Sequence, residues 1–423
     1  MKVLLAEPDF PIPNKSKNHK NFLPIGLLKL ASLYRQQGHK VKLIRGHRNK
    51  AEVRSNGDSR WCIPDEILIT SLFTYWADHV KQAVKHYRML YPTARISVGG
   101  IYASLMPDHC KAYTGCDKVI QGIVEEAEQA APAYDLLDDS LTAPIDYQII
   151  HTSRGCVRSC SFCGTWIIEP NFSYKTTIRE EIIARNIVFY DNNLLANPHI
   201  ADILNELIAL KKDNTILWCE AQSGFDGRIL QQKPHIANML KKAGFRNIRI
   251  AWDGSYDQHA MIENQISTLS EAGFSRSREI YVFVLYNWDI PFEEMEQKRI
   301  KCAEWNVQIS DCRYRPLDQT YDHFDFSKAQ TSEDYFIHPS WSDELVKQYD
   351  KNVRRQNICV RHRFIFYSKE FERKKIDKQT ISRVHATVKS LKSTSEIRDY
   401  LNKFDITYWL PSEVTYPPER AGS

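Results

Sequence analysis

The chain has 423 residues, of which 43% are hydrophobic and 26% are charged, and its formal net charge is +5. This composition is ordinary for a soluble protein, and so small a charge gives no argument for nucleic-acid binding. The ten cysteines are too sparse for a disulfide framework, and the N-terminus shows no signal-peptide pattern. No apolar run approaches the length of a membrane span. We therefore expect two or three domains with reduced thiols in the cytoplasm.

The first part of the chain alternates short apolar strands with amphipathic helices. The pattern predicts strands at 2–6, 40–44, 66–70, 95–98 and 118–121. Strands that alternate with helices form an open parallel sheet, and ligands of such sheets bind at the carboxyl ends of the strands. Those ends carry 8–10, 71–76, 99–102 and Gly122.

Residues 129–146 lack periodicity and hold two prolines, so we predict a linker. A second series of strands and helices follows. Its predicted strands are 147–152, 186–190, 215–219, 246–252, 279–286 and 306–310. The series thus contains six strand–helix units, and in barrels built from such units the polar loops after the strands form the site.

Three cysteines follow the first strand of this series, in the order Cys156, Cys160 and Cys163. Three thiolates on one tight loop suit three irons of a 4Fe–4S cluster, and the fourth iron then stays open to a small molecule. A zinc site is the main alternative, but zinc takes four ligands and no second cysteine pair is visible. Core cysteines without a ligand are the other alternative.

The spacing resembles the CxxxCxxC signature of the radical S-adenosylmethionine (SAM) superfamily, with Phe162 as the aromatic residue before the last cysteine. The resemblance implies that the three cysteines ligate the cluster and that Phe162 packs near the adenine of SAM. It also implies that the open iron chelates SAM, whose reductive cleavage releases a 5′-deoxyadenosyl radical. A flavodoxin-type or ferredoxin-type electron donor is the expected partner.

The first 128 residues resemble the N-terminal cobalamin-binding domain of a radical SAM subfamily, through LPIGLLKLASLYRQQGHKV, VGGIYASLMP and the turn from Gly122 to Glu126. The Asp-x-His-x-x-Gly signature of cobalamin domains with a cobalt-ligating histidine is absent. Cobalamin is therefore a candidate cofactor, expected to bind without a histidine on cobalt. The candidate contacts in this domain are Ser71, Trp76, Gly99 and Gly100. A tight turn explains the glycines equally well, and a core or lid role is the alternative for Trp76.

Polar residues follow the later strands of the second series. Asp191, Asn192 and Asn193 end its second strand, where the resemblance implies acceptors for the SAM amino group; a helix N-cap is the alternative. Glu220 ends the third strand. Asp253 ends the fourth strand, where the subfamily usually has Glu, and it is a candidate acceptor from SAM ribose hydroxyls.

The last hundred residues predict helices that carry many basic and aromatic side chains. The basic positions are Arg354, Arg355, Arg361, Arg363, Arg373, Lys374 and Lys375. Such a mixture is compatible with nucleic-acid contact, but the acidic residues among them favour a solvated helical surface.

These patterns together predict an α/β protein with four parts. A Rossmann-like open parallel sheet occupies 1–128, a linker 129–146, a partial (β/α)6 radical SAM barrel 147–325, and a small helical extension 326–423. The expected function is hydrogen abstraction from an unactivated carbon, with cobalamin-dependent methyl transfer as one outcome. The alternatives are a cobalamin-independent radical SAM enzyme acting on a small molecule or RNA, and a non-catalytic iron–sulfur protein that binds RNA or senses redox state.

Overall fold

A computed structural model of the chain describes residues 1–12, 23–49, 63–137, 146–372, 378–391, 393–404 and 406–418. They form two compact units, residues 1–192 with 315–324 and 334–336, and residues 193–314 with 325–333 and 337–423. The domain boundaries at 128, 146 and 325 stay predictions. Positions 138–145 of the predicted linker, and Arg373, Lys374 and Lys375, lie outside the described residues.

The first unit opens with five strands and five helices, followed by four further strands and a short helix. Their bounds are β1 Lys2–Glu7, α1 Ile25–Gln36, β2 Lys40–Arg45, β3 Glu66–Ser71, α2 Ala77–Leu90, β4 Arg95–Gly100, α3 Ile101–Leu105, α4 Pro107–Thr114, β5 Lys118–Ile120, α5 Glu125–Glu128, β6 Gln148–Ile150, β7 Ser153–Arg154, α6 Thr165–Ile168, β8 Ser173–Tyr174 and β9 Asn186–Phe189.

The first five strands form one parallel sheet in the order β2-β1-β3-β4-β5. Val3 lies opposite Glu66 where β1 pairs with β3, and Glu66 lies opposite Arg95 where β3 pairs with β4. The strand order reverses its direction of growth at β1, as in doubly wound folds. The predicted α/β class and open parallel sheet are therefore confirmed.

Helices cover both faces of this sheet. Leu4 and Ala6 of β1 pack in the core that includes α2, whereas Val3 and Leu5 pack on the opposite face in the core that includes α1. Successive side chains of a strand point to opposite faces, so a strand buried on both sides must be apolar at every position. This requirement explains the continuous apolar run at the start of the chain.

The second unit contains the later strand–helix repeats and the C-terminal region. Its elements are α7 Ile200–Lys212, β10 Trp218–Ala221, α8 Gly227–Gln232, α9 His235–Lys242, β11 Ile248–Ala251, α10 His259–Glu271, α11 Arg276–Glu279, β12 Ile280–Tyr286, α12 Phe292–Glu304, β13 Gln308–Arg313, α13 Asp343–His362, β14 Tyr367–Ser368, α14 Lys369–Glu372, α15 Lys378–Ser390, α16 Thr394–Leu401 and β15 Tyr408–Trp409.

All six strands predicted for the second series are present, as β6, β9, β10, β11, β12 and β13. Within the second unit, β11, β12 and β13 pair in parallel, and alternate residues of β12 are buried. No described helix combines the length and the apolar character needed to cross a membrane. Barrel closure across both units stays a prediction.

The C-terminal region is helical, as predicted, but it also contains the antiparallel strand pair β14 and β15. A buried ion pair on α12 anchors its last described segment. Arg299 donates to Glu296 at 2.7 Å and to the backbone oxygens of Pro411 and Glu413 at 2.9 and 2.6 Å. Because a two-residue strand gives almost no periodicity, the sequence pattern could not reveal the strand pair of β14 and β15.

We predict that Gly100→Ala strongly destabilises the first unit. Gly100 has a φ of 105°, and an added Cβ would lie 2.2 Å from the backbone oxygen of Ser71. We expect a loss of about 3 kcal/mol or more in the free energy of unfolding, measured by urea denaturation of the metal-free protein.

Gly115→Ala is the matched control, because Gly115 has a φ of 71° but no heavy atom within 4 Å of its added Cβ. It should cost only the left-handed strain of about 1–2 kcal/mol. Equal losses in the two variants would contradict the close approach at Gly100.

Candidate functional site

The three cysteines lie on a loop that a short antiparallel strand pair closes at its base. Ser153 pairs with Tyr174, and Arg154 pairs with Ser173, so β7 and β8 bracket the loop and helix α6. Cys156, Cys160 and Cys163 are all partly exposed, whereas Cys110 and Cys116 of the first unit are buried. The loop therefore presents three accessible sulfur atoms within eight residues.

Backbone and side-chain groups contact the sulfur atoms and order the loop. The backbone nitrogen of Arg158 lies 3.4 Å from Cys156 Sγ, and the Cys163 thiol donates to Thr165 Oγ1 at 3.2 Å. The backbone nitrogen of Cys163 donates to the oxygen of Cys160 at 3.0 Å, as does Trp166 Nε1 at 3.3 Å.

The donor set suits an iron–sulfur cluster. Three thiolates on one loop match its preference for soft ligands, and a nearby backbone N–H can stabilise a cluster-bound thiolate. Across the part of the chain that the structure describes, no three or more His, Cys, Asp or Glu side chains are already grouped around a metal position. Cluster binding would therefore draw the three sulfur atoms together.

Asp191 lies beneath the loop and is fully engaged by the strand that leads into it. Its carboxylate accepts from the backbone nitrogens of Thr152 at 3.0 Å and Ser153 at 2.7 Å. The two hydroxyl groups donate to Asp191 Oδ1 at 2.6 and 2.8 Å. Burial raises the pKa of Asp191, although these four donors act in the opposite direction. The residue is neither a helix N-cap nor an open acceptor here, and its role toward SAM stays a prediction.

Asn192 connects the second strand end with the loop. Thr165 Oγ1 donates to Asn192 Oδ1 at 3.3 Å, and Asn192 Nδ2 donates to Glu169 Oε2 at 2.9 Å. Because Thr165 also accepts from Cys163, this amide lies two hydrogen bonds from the Cys163 sulfur. Phe162 is half-buried on the same loop.

The other predicted contacts, Asn193, Glu220 and Asp253, lie in the second unit. Asn193 Nδ2 donates to Asp226 at 3.2 Å, and its Oδ1 is buried with no partner among the described residues. Glu220 accepts from Arg249 at 2.7 Å and from Asn247 at 3.0 Å, so its carboxylate is satisfied within the chain.

Asp253 differs from Glu220 because its carboxylate makes no hydrogen bond or ion pair within the described ranges, and burial raises its pKa. Lys298, buried on α12, faces this strand end. Its ammonium donates to the backbone oxygens of Trp252 at 3.4 Å and of Gly254. Burial lowers the pKa of Lys298 to about 8, although Glu294 and Asp253 act to raise it. Asp253 is therefore an acceptor available to a ligand, on a loop that Lys298 holds.

Ser71, Gly99 and Gly100 serve the sheet itself. Ser71 is buried, donates to the oxygen of Gly99 at 2.9 Å and accepts from the backbone nitrogen of Ala103 at 3.1 Å. A Cβ at Gly99 would touch Ile120, and one at Gly100 would overlap Ser71. The tight-turn interpretation thus explains both glycines without a ligand, and a contact with cobalamin stays a prediction.

Aromatic rings gather at the same sheet edge. Trp76 stacks on Phe10 with 5.1 Å between the ring centroids, and Phe73 stacks on Tyr75 with 4.9 Å between the ring centroids. His79 contacts Trp76 edge-on at 6.5 Å. Phe73, Tyr75 and Trp76 are partly exposed, so this edge offers apolar ring surface to a large flat ligand.

Three of the basic residues of the C-terminal region, Arg354, Arg355 and Arg361, have partners within the second unit. Arg354 pairs with Glu372 at 2.7 Å, and Arg355 lies over the rings of Tyr367 and Trp409. Arg361 donates to Gln308 at 3.0 Å. These contacts give the basic and aromatic side chains a structural use, and nucleic-acid binding stays a disfavoured prediction.

Comparison with known proteins matches residues 19–132 to the B12 binding domain family. No curated protein sequence matches the chain. Among solved structures, the cobalamin-dependent S-adenosylmethionine radical enzyme OxsB with aqua-cobalamin bound is similar at 14% identity and a TM-score of 0.50, over 74% of this chain and 53% of that chain.

Two other OxsB structures are also similar. With aqua-cobalamin and S-adenosylmethionine bound, the identity is 13%, the TM-score 0.49, and the coverage 85% of this chain and 56% of that chain. The apo structure has 14% identity, a TM-score of 0.47, and coverage of 72% and 51%. The chain thus spans about half the length of these structures. The resemblance read from the sequence is confirmed for the N-terminal domain and for the fold.

Sequence reasoning missed Glu169 and Lys298. Glu169 Oε2 accepts from the backbone nitrogen of Gly155 at 2.6 Å, directly before Cys156. A lone acidic residue after a loop and a lysine within a charged helix carry no periodic or motif signal. Only their burial and contacts identify them.

We predict that Asp191→Asn destabilises the protein by about 2–4 kcal/mol, because the new amide group would face buried donors. Urea denaturation of the metal-free protein measures this loss. Asp202→Asn is the control, since its side chain is 69% exposed on α7. A loss no larger than that of the control would contradict the clamping role.

We also predict a pH dependence from Lys298. Its folded pKa of about 8 lies below the ordinary value of 10.5, so the unfolded chain binds the proton more tightly between these values. The contribution of Lys298 to the free energy of unfolding should therefore increase by roughly 1–3 kcal/mol as pH rises from about 8 to 10.5. The same contribution is lost as pH falls back through this range.

The measurement is the slope of stability against pH in wild type and Lys298→Met, which should lack this contribution. Lys301→Met on the same helix is the control, because the hydrogen bond with Glu304 raises the pKa of Lys301 instead. An identical slope in Lys298→Met and wild type would rule out the shifted lysine.

Proposed function

We propose that the chain is a radical SAM enzyme whose single 4Fe–4S cluster is held by Cys156, Cys160 and Cys163. The observation that carries the proposal is three partly exposed thiols on one short loop, directly after the first strand of the second strand–helix series. The alternative of structural zinc lacks support, because a fourth cysteine or histidine would have to join the loop.

When bound, the cluster supplies the electron that cleaves SAM and yields a 5′-deoxyadenosyl radical for hydrogen abstraction from an unactivated carbon. The cysteines hold the metal, and the backbone N–H of Arg158 steadies the first of them. Partial exposure of the loop leaves access for SAM and for a flavodoxin-type or ferredoxin-type electron donor.

Asp253 is the proposed acceptor from ligand hydroxyls, because its carboxylate has no hydrogen-bond partner within the described ranges. Burial raises its pKa, and the residue is partly buried at the end of its strand. Glu220 is a weaker candidate, since Arg249 and Asn247 already occupy its oxygens.

Cobalamin is the proposed third cofactor, held at the carboxyl edge of the first sheet. The B12 binding domain match supports this, and the exposed rings of Phe73, Tyr75 and Trp76 would contact the macrocycle. Its contribution when bound would be methyl transfer to the carbon radical. The close contact between Ser71 and Gly100 lies within the sheet and explains this glycine without a ligand. It therefore favours the cobalamin-independent alternative.

A non-catalytic iron–sulfur protein that binds RNA or senses redox state is the second alternative. Such a protein has no need of an unpaired carboxylate at a strand end, so Asp253 favours the enzyme. The proposed site of action is the cytoplasm.

The test is anaerobic reconstitution of wild type, Cys163→Ala and Cys312→Ala with iron and sulfide. Cys312 is exposed outside the loop and is the matched control. We expect about four irons per chain in wild type and the control, and a strong loss in Cys163→Ala. Incubation with reductant and SAM should then yield 5′-deoxyadenosine in wild type and Cys312→Ala but not in Cys163→Ala.

Stoichiometric zinc without iron in anaerobically purified wild type would contradict the cluster. Iron without any SAM cleavage would favour the non-catalytic alternative. Gel filtration after addition of hydroxocobalamin separates the remaining choices, because retention near one equivalent supports methyl transfer and its absence supports the cobalamin-independent enzyme.

A further inference from the structure

A line of four charged side chains runs from the first helix of the chain to the base of the cysteine loop. Lys29 on α1 donates to Glu128 Oε2 at 2.7 Å. Arg154 donates to both oxygens of Glu128, at 2.8 and 2.7 Å, and to Glu169 Oε1 at 3.2 Å. All four residues belong to the first unit.

This line of charges is largely shielded from water. The side chains of Lys29, Glu128, Arg154 and Glu169 are 8%, 19%, 21% and 12% exposed. Two cations alternate with two anions, so each charge has an opposite neighbour. Removing one member leaves its shielded neighbours with fewer opposite charges, which is more costly than breaking a surface ion pair.

Charge compensation within the line is uneven. Burial acts to raise the pKa of Glu128, but hydrogen bonds and charges from Arg154 and Lys29 outweigh it, so this pKa is lowered. The pKa of Lys29 is also lowered, because burial outweighs its single partner. We infer that Arg154 supplies most of the compensation at Glu128.

Glu169 extends this line to both ends of the cysteine loop. Its Oε2 accepts from the backbone nitrogen of Gly155 at 2.6 Å and from Asn192 Nδ2 at 2.9 Å. Asn192 in turn accepts from Thr165, which contacts Cys163. One carboxylate thus holds the residue before Cys156 and reaches Cys163 through three successive hydrogen bonds.

The loop base has little room to adjust. Gly155 has a φ of 75°, and an added Cβ would lie 2.5 Å from the backbone oxygen of Asn171. Next to Cys163, a Cβ at Gly164 would lie 3.0 Å from Leu105 of the N-terminal domain. The loop therefore contacts that domain at both ends. Gly164 packs against Leu105 at one end, and Arg154 forms an ion pair with Glu128 at the other.

We propose that Glu169 and Arg154 are positioning residues for the cluster cysteines, and that the N-terminal domain fixes both of them through Glu128 and Lys29. This rests on the proposed function, because the cysteines must hold a cluster for their positioning to matter. It assigns the N-terminal domain a task that does not depend on whether cobalamin is bound.

The test uses the full chain with Glu169→Ala, Glu169→Gln and Glu128→Gln. Two controls remove similar charges elsewhere in the first unit: Glu180→Gln at an exposed position, and Asp135→Asn in the exposed ion pair with Arg35. Melting temperatures of the metal-free proteins establish folding, and Glu169→Gln keeps the test open where Glu169→Ala does not fold.

Two measurements follow. Hydrogen exchange of the metal-free protein, read by mass spectrometry over the cysteine loop, reports the order of the loop without any cluster. Iron loss to a chelator and the electron paramagnetic resonance spectrum of the reduced cluster report the positions of the thiolates. A uniform loss of stability would not change that spectrum.

We expect loop exchange and iron loss about tenfold faster in Glu169→Ala, with a broadened spectrum. Glu169→Gln and Glu128→Gln should change in the same direction by about threefold or more, and both controls should match wild type. Wild-type exchange, iron loss and spectrum in the folded Glu169 variants would overturn the positioning role. Unchanged Glu128→Gln alone would overturn the role of the N-terminal domain.

The two proposals fail in different ways. If wild type takes up no iron while Glu169→Ala still loosens the loop, the cluster is wrong and the positioning proposal falls with it, leaving only a fold contact. If wild type takes up iron and Glu169 has no effect, the enzyme proposal stands and the positioning proposal is wrong.

Discussion

Two buried carboxylates hold the backbone from which the cysteines project, and the candidate site depends on them. Asp191 accepts from Thr152 and Ser153 at the entry to the loop, and Glu169 accepts from Gly155 two residues later. An irregular loop cannot satisfy its own N–H groups as a helix or sheet does. Charged acceptors placed beneath it supply strong hydrogen bonds and leave the sulfur atoms facing outward.

A few close contacts also hold the strand ends at the edge of the first sheet. Ser71 joins two strand ends through its hydroxyl, and Gly100 allows the backbones to meet where any side chain would collide. Helices cover both faces, so only the strand ends are left for a ligand. The partly exposed rings of Phe73, Tyr75 and Trp76 lie at those ends and define the surface that a cofactor would meet.

The strands were predictable because burial leaves a strong compositional trace. All five strands of the first sheet and all six of the second series begin within three residues of their predicted positions. The cysteine loop was recognisable because its three cysteines are close together in the sequence, and their role as cluster ligands stays a prediction. The short strands β14 and β15 were not, since two residues carry no period.

Contacts at the candidate site were less accessible to sequence reasoning. A polar residue after a strand can bind a ligand or form hydrogen bonds with other groups of the chain. The residue type is the same in both cases. Asp191 and Glu220 are engaged by partners 26 to 39 residues away, whereas the Asp253 carboxylate has no hydrogen-bond or ion-pair partner among the described residues. Such distinctions depend on long-range geometry, which neither propensity nor spacing encodes.

The separation of these partners along the chain also determines when the loop can take shape during synthesis. Glu128 precedes Arg154 by 26 residues, and Asp191 follows Thr152 by 39. The cysteines therefore leave the ribosome before the carboxylate that orders their entry strand emerges. During synthesis the three thiols are thus exposed to oxidation before the contacts with Asp191 can form. Shielding this segment until the second strand of the series has emerged would protect them.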